Sequence, residues 1–206
     1  MILYPVDVLR HGECEGGDIF RGSTDVALSA QGEETMRNQL AAHGQDYALI
    51  ASSPLRRCRE FATELAESRS LPLTVIDGFR EMHFGEWEGQ QRTAVAEREA
   101  QFHSAWLADP ETHTPPGAEP LHQVYERVAD AMATLVAHPV IQDTQAPTLL
   151  VCHGGIIRTL MALALALPLS SARRLAVPYG CVTRLWFAQD PRQGGYLEQH
   201  NLPKHG

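Results

Sequence analysis

A chain of 206 residues, 44% hydrophobic and 20% charged, has the length and apolar content of one globular domain. It lies far from the composition of disordered chains, which combine low hydrophobicity with high charge. With 17 basic residues against 25 acidic ones the formal charge is -8, the wrong sign for a duplex-binding or membrane-surface protein, so any bound anion must be held by a local basic cluster.

The opening MILYPVDVLRHGE lacks the basic and apolar regions of a signal peptide, from which a cytoplasmic location is expected. Leu3 to Leu9 is apolar apart from Asp7, a pattern that predicts a strand buried on both faces. Ser29 is a fitting N-cap for a helix carrying Met36 and Leu40. The run YALIA, Tyr47 to Ala51, reads as a second strand, and Ser53-Pro54 as an N-cap followed by proline at the first helical position.

Trp106 to Glu119 is rich in proline and polar residues and predicts a mobile loop over a site. From Pro120 to His138, Leu121, Val124, Tyr125, Val128, Met132, Leu135 and Val136 recur at helical spacing and predict a core-facing amphipathic helix. TLLVC, Thr148 to Cys152, reads as a strand, Gly154 to Leu167 as a helix, and Cys181 to Ala188 with Tyr196 to His200 as a closing pair of strands. The longest apolar stretch, Thr159 to Leu169, is about half of the roughly 20 residues that span a bilayer. Cysteines 14, 58, 152 and 181 show neither CxxC pairs nor scaffold density and are expected to be reduced thiols. Strands alternating with helices predict an open α/β sheet with its ligand site beyond the carboxyl ends of the strands.

Chemistry-bearing residues stand at three such ends. Arg10-His11-Gly12-Glu13 follows the first strand, Ser52-Ser53-Pro54-Leu55-Arg56-Arg57 the second, and Cys152-His153-Gly154-Gly155 the strand TLLVC. Two histidines and a helix start bearing arginines suit an anion site. The blander alternatives are that Arg10 and Arg57 pair with Glu13 and Glu60, and that His153 is a satisfied core histidine. Against the last, the glycines after His153 permit close backbone approach to a ligand. The histidines show no metal-ligand spacing and the glycines no nucleotide-loop pattern, so neither metal nor cofactor is expected.

LRHGE, SSPLRRC, REMHFGEWEG, PPGAE and VCHGG, in that order, resemble the histidine phosphatase, or phosphoglycerate mutase-like, superfamily over essentially the whole chain. The resemblance implies a three-layer α/β/α sandwich with a mostly parallel central sheet, one domain over 1–206, and 85–120 as a helical or loop cap. It implies His11 as the phosphoryl-accepting nucleophile, with Arg10, Arg57 and His153 holding the phosphoryl oxygens and Glu81 as proton donor. Glu86, Glu88 and Glu13 are then structural, and His83 either lines the pocket or packs. Neutral imidazole is a good nucleophile if its other nitrogen donates to a carbonyl of the RHGE turn.

The loop Cys14 to Asp25 departs from many members: it is short, lacks asparagine, and carries Arg21 where they have glutamine or threonine. The string HGExEGGxxFRGSTD resembles the branch of the family that hydrolyses α-ribazole 5'-phosphate in assembling the cobalamin nucleotide loop. This makes Arg21, Gly22, Ser23, Gly154 and Trp87 candidate substrate contacts, with Phe20, Phe84 and Trp106 as further stacking candidates for a flat base. The implied partner is a small phosphate ester, with no nucleic acid and no membrane. Other readings are a broad or sugar-phosphate phosphatase, a phosphoglycerate mutase, a phosphohistidine protein phosphatase and a non-catalytic phospho-ligand binder.

Overall fold

The computed structural model describes residues 2–201. In chain order the elements are β1 (Leu3–Arg10), α1 (Ala30–His43), β2 (Leu49–Ser52), α2 (Arg56–Arg69), β3 (Leu73–Val75), α3 (Arg92–Arg98), α4 (Ala100–Ala108) and α5 (Leu121–Val136). They continue with α6 (Pro139–Thr144), β4 (Thr148–Cys152), α7 (Gly154–Leu165), α8 (Leu169–Ala172), β5 (Val182–Ala188) and β6 (Gly195–Asn201). The sheet runs β3-β2-β4-β1-β5-β6. Its first four strands are mutually parallel, and β5 and β6 close it antiparallel.

Period-two alternation sorts the strand residues between two helical layers. Tyr4, Val6, Val8, Leu49, Ala51 and Leu150 pack with α5 and α7, whereas Leu9, Ile50, Leu149 and Val151 pack with α1 and α2. The result is the expected three-layer sandwich. Val124, Val128, Met132 and Leu135 of α5 are essentially inaccessible, each such burial being worth about 1.5–3 kcal/mol. Asp7 breaks the apolar run of β1 because it faces the α1 layer, where Arg184 donates to it at 2.6 and 2.7 Å and Tyr47 at 3.0 Å.

Two local expectations shift. The α2 helix begins at Arg56 with Leu55 as its cap, so Ser53-Pro54 lies ahead of the helix and Ser53 Oγ accepts from Leu55 N across a tight turn at 3.3 Å. The segment Trp106 to Glu119 begins inside α4 rather than in a loop. Among the described residues no helix is long and apolar enough to cross a membrane.

Candidate active site

Parallel pairing sets Arg10 opposite Cys152 and Ser52 opposite Val151, so the residues that follow these strands emerge side by side. His11 N donates to Cys152 O and Ser53 N to Val151 O, each at 3.0 Å. The His11 and His153 ring centroids are 5.2 Å apart, edge to face. Gly12 permits this turn by backbone contact: a Cβ there would lie 2.1 Å from Gly32 O in the first turn of α1.

His11 is buried, and its Nδ1 lies 2.7 Å from Gly12 O. A carbonyl can only accept, so Nδ1 carries the proton and Nε2 keeps its lone pair. Burial first, then the charges of Arg57 and Arg10, hold the imidazole well below its ordinary pKa, with the Gly12 carbonyl opposing in part. The ring is therefore neutral at neutral pH.

Three arginines surround it, none within ion-pair distance of a carboxylate among the described residues. Glu60 pairs instead with Arg56, at 2.8 Å. Arg57 donates from Nη1 to Thr24 O at 2.9 Å, from Nη2 to Gly22 O at 2.7 Å and from Nε to His153 Nδ1 at 3.2 Å. Three of the five guanidinium protons are thus used, leaving two for an anion. Arg10 donates to Val177 O, lies 4.1 Å over the Tyr179 ring, and has an Nε with no partner among the described residues. Arg21 lines the cavity, but its Nη2 holds the carbonyls of Cys14, Glu15 and Gly17 and its Nη1 donates to Tyr179 Oη at 3.4 Å.

Glu81 lines the same cavity as His11, beside the N-terminus of α7. Gly155 N donates to its Oε2 and Met82 N to its Oε1, each at 3.0 Å. A Cβ at Gly155 would stand 2.4 Å from Oε1, so the second glycine of VCHGG is where the carboxylate rests. Arg10, His11, Arg57 and Glu81 line the cavity together, and its volume is about 520 Å³. Arg92, His103, Trp106, Leu107 and Pro110, from the 85–120 segment, line it as well. That volume suits a small molecule.

Of the expected substrate contacts, Arg21, Gly22 and Gly154 line the cavity, and Ser23 and Trp87 do not. Ser23 is committed to Glu88, donating from N at 2.8 Å and from Oγ at 2.9 Å. Trp87 is fully buried among Phe20, Phe102 and Trp106, its indole donating to Glu99 at 2.9 Å, and so packs among these rings rather than facing the cavity. His153 is also fully buried and outside the cavity lining, with Nδ1 accepting from Arg57 and Nε2 donating to Ser53 Oγ at 2.7 Å. It backs the pocket instead of reaching into it. His83 is half exposed and accepts from Gly85 N. Glu13 contributes its backbone carbonyl, which accepts from Ser29 N at 3.0 Å.

Tyr179, Arg158 and Arg173 line the cavity without having been anticipated. Arg158 was legible one helical turn past Gly154, on the same face. Tyr179, in an irregular Pro-Tyr-Gly segment, carries no sequence signal.

A family model described as the histidine phosphatase superfamily (branch 1) matches residues 6–198. The adenosylcobalamin/alpha-ribazole phosphatase of Escherichia coli (strain K12) is 28% identical over 189 residues, spanning 90% of this chain and 89% of the relative. A glucosyl-3-phosphoglycerate phosphatase of Mycobacterium tuberculosis is 32% identical over 175 residues, spanning 80% of this chain and 76% of the relative. The native structure of mycobacterial glucosyl-3-phosphoglycerate phosphatase superposes with a TM-score of 0.83 at 28% identity, covering 96% of this chain and 98% of that one.

Proposed function

Since the chain belongs to the histidine phosphatase superfamily, we propose that it is a phosphomonoester hydrolase working through a phosphohistidine at His11. The observation that carries this reading is an imidazole whose Nδ1 is fixed by Gly12 O, lining one cavity with Arg10, Arg21 and Arg57, which have no carboxylate partner among the described residues.

His11 Nε2 attacks phosphorus and the ester P–O bond breaks, while Glu81 gives its proton to the leaving oxygen. Water then yields a proton to Glu81 and attacks phosphorus, the N–P bond breaks, and inorganic phosphate leaves. Arg10 and Arg57 hold the equatorial oxygens, where charge gathers in a loose transition state. His153 acts as a positioning residue that fixes Arg57 and Ser53 behind His11. With this charge supplied by guanidinium groups, the reaction runs without a metal or cofactor. The segment 85–120 serves as the cap that keeps bulk water out.

The leaving group has two readings. α-Ribazole 5'-phosphate, expected from the loop motif, is supported by the apolar wall of Phe84, Trp106, Leu107 and Leu121, which suits a flat base. An acidic sugar phosphate is supported by Arg158 and Arg173 in the same cavity.

Initial rates with a chelator present test both layers, using α-ribazole 5'-phosphate, 3-phosphoglycerate, a sugar phosphate and an aryl phosphate, with His11→Ala as the blank. Turnover that survives in His11→Ala overturns the phosphohistidine. A preference of orders of magnitude in kcat/KM for one ester names the leaving group.

A further inference from the structure

The cavity holds more positive charge than a phosphoryl group and its acid–base partner can match. Six arginines line it, Arg10, Arg21, Arg57, Arg92, Arg158 and Arg173, against one carboxylate, Glu81. Among the described residues, Arg92 alone of the six has a carboxylate partner, Asp18 at 3.2 Å. The remaining five exceed what Glu81 and a phosphoryl dianion together supply. Guanidinium groups gathered in a partly buried cavity repel one another and lose hydration, and a ligand of opposite charge relieves both.

The excess has a definite place. A Cβ at Gly154 would lie 3.2 Å from Arg10 Nε and 3.4 Å from Arg158 Nη1, so two guanidinium groups converge over the helix start. Arg158 is oriented by Nε donating to Leu175 O at 3.1 Å and Nη1 to Gly154 O at 3.2 Å, which leaves donors free. Arg173 comes from the end of α8, donates to Trp106 O at 3.1 Å, and lies 5.4 Å from the Trp106 ring centre. The basic lining thus extends from the phosphoryl pocket at Arg10, through Arg158, toward the aromatic cap. Backbone carbonyls fix these side chains without neutralising them.

We propose that Arg158 and Arg173 form a second anion subsite that selects phosphate esters whose leaving group carries its own carboxylate or second phosphate. This rests on the reading of the cavity as a phosphatase site and names the class of ester that it prefers. It assigns the two arginines to specificity, with transfer chemistry left to His11 and Glu81.

The test compares kcat/KM within matched pairs of esters. 3-Phosphoglycerate and glycerol 3-phosphate share a three-carbon skeleton and differ in a carboxylate. Fructose 1,6-bisphosphate and fructose 6-phosphate differ in a second phosphate. Wild type is expected to favour the doubly anionic member of at least one pair by roughly ten- to a hundredfold, the worth of hydrogen bonds to a charged group, and the responding pair identifies the anion. In Arg158→Met and Arg173→Met that ratio falls toward one, and Arg158→Lys restores part of it. Because each ratio is taken within one enzyme, a general loss of activity or of folded protein cancels.

An active wild type with a ratio near one in both pairs overturns the subsite and leaves phosphohistidine hydrolysis standing, as does a ratio untouched by both methionine variants. Inactivity of the wild type toward all four esters and an aryl phosphate overturns both.

Discussion

His11 holds its Nδ1 2.7 Å from the carbonyl oxygen of the next residue, Gly12. The backbone of the RHGE turn therefore chooses the tautomer of the side chain it carries, and Nε2 is the nitrogen left for phosphorus. Brief mixing with a ³²P-labelled ester followed by alkaline quench is expected to leave an alkali-stable, acid-labile label on the peptide containing His11, at Nε2. His11→Ala should show no label and lose activity by on the order of 10³-fold or more. A label on another residue would sink this assignment.

Glu81 is coupled to Gly155 in the same way, by a backbone N–H and by the space where a side chain would be. Proton donation matters most for a poor leaving group. Glu81→Gln is expected to lower kcat/KM, which reports phosphoryl transfer to His11 and not the later attack of water, by about 10²–10⁴-fold on an alkyl phosphate and by much less on p-nitrophenyl phosphate, whose leaving oxygen needs no proton. Gly155→Ala, which brings a methyl group against Oε1, should move activity in the same direction with the same dependence on leaving group. Equal losses of kcat/KM on both esters would mean that Glu81 does not act as an acid.

Much of this arrangement was legible because strand ends and glycines leave strong local marks. The buried runs Leu3 to Leu9 and Thr148 to Cys152 define β1 and β4, and parallel pairing then brings His11 and His153 together without any further information. What stayed hidden depends on which way a side chain turns. Trp87 and Trp106 have the same chemistry, yet one is fully buried with its indole tied to Glu99 and the other borders the cavity. Sequence cannot separate them, since the choice is made by packing among Phe20, Phe84 and Phe102. Ser23 was taken from the substrate by Glu88, a partner 65 residues away. Tyr179 reaches Arg10 and His11 from the segment before β5, a meeting that only the antiparallel closure of the sheet creates.

Arg57 and burial act in the same direction on His11, both disfavouring the imidazolium. In an NMR titration of the free enzyme the His11 ring is expected to stay neutral as pH falls through about 6.5, the ordinary histidine value. Arg57→Gln removes one positive neighbour, so the midpoint should rise toward that value while remaining below it, because desolvation persists. Inorganic phosphate, bringing negative charge, should also raise it. A wild-type midpoint at or above the ordinary value would show that the pocket does not keep the nucleophile neutral.

Asp7 lies on the opposite side of the function–stability divide. It occupies the middle of β1, three residues before Arg10, with its carboxylate inaccessible and held by Arg184 and Tyr47. Arg184 is itself mostly buried and stands on β5 directly across the ladder from Asp7, so the pair joins β1 to the antiparallel strand that follows Tyr179. Asp7→Asn keeps the shape and removes the charge, leaving the partly buried Arg184 guanidinium with only the more exposed Glu198, at 3.9 Å, as counter-ion. Chemical denaturation is expected to show a loss of about 3 kcal/mol, within the range for breaking one side of a buried pair, with a midpoint shift at unchanged slope. Because Asp7 is absent from the cavity lining, the folded fraction should retain the wild-type KM. A stability change under about 0.5 kcal/mol, the ordinary range for surface substitutions, would mean that the Asp7–Arg184 pair is as dispensable as an exposed one.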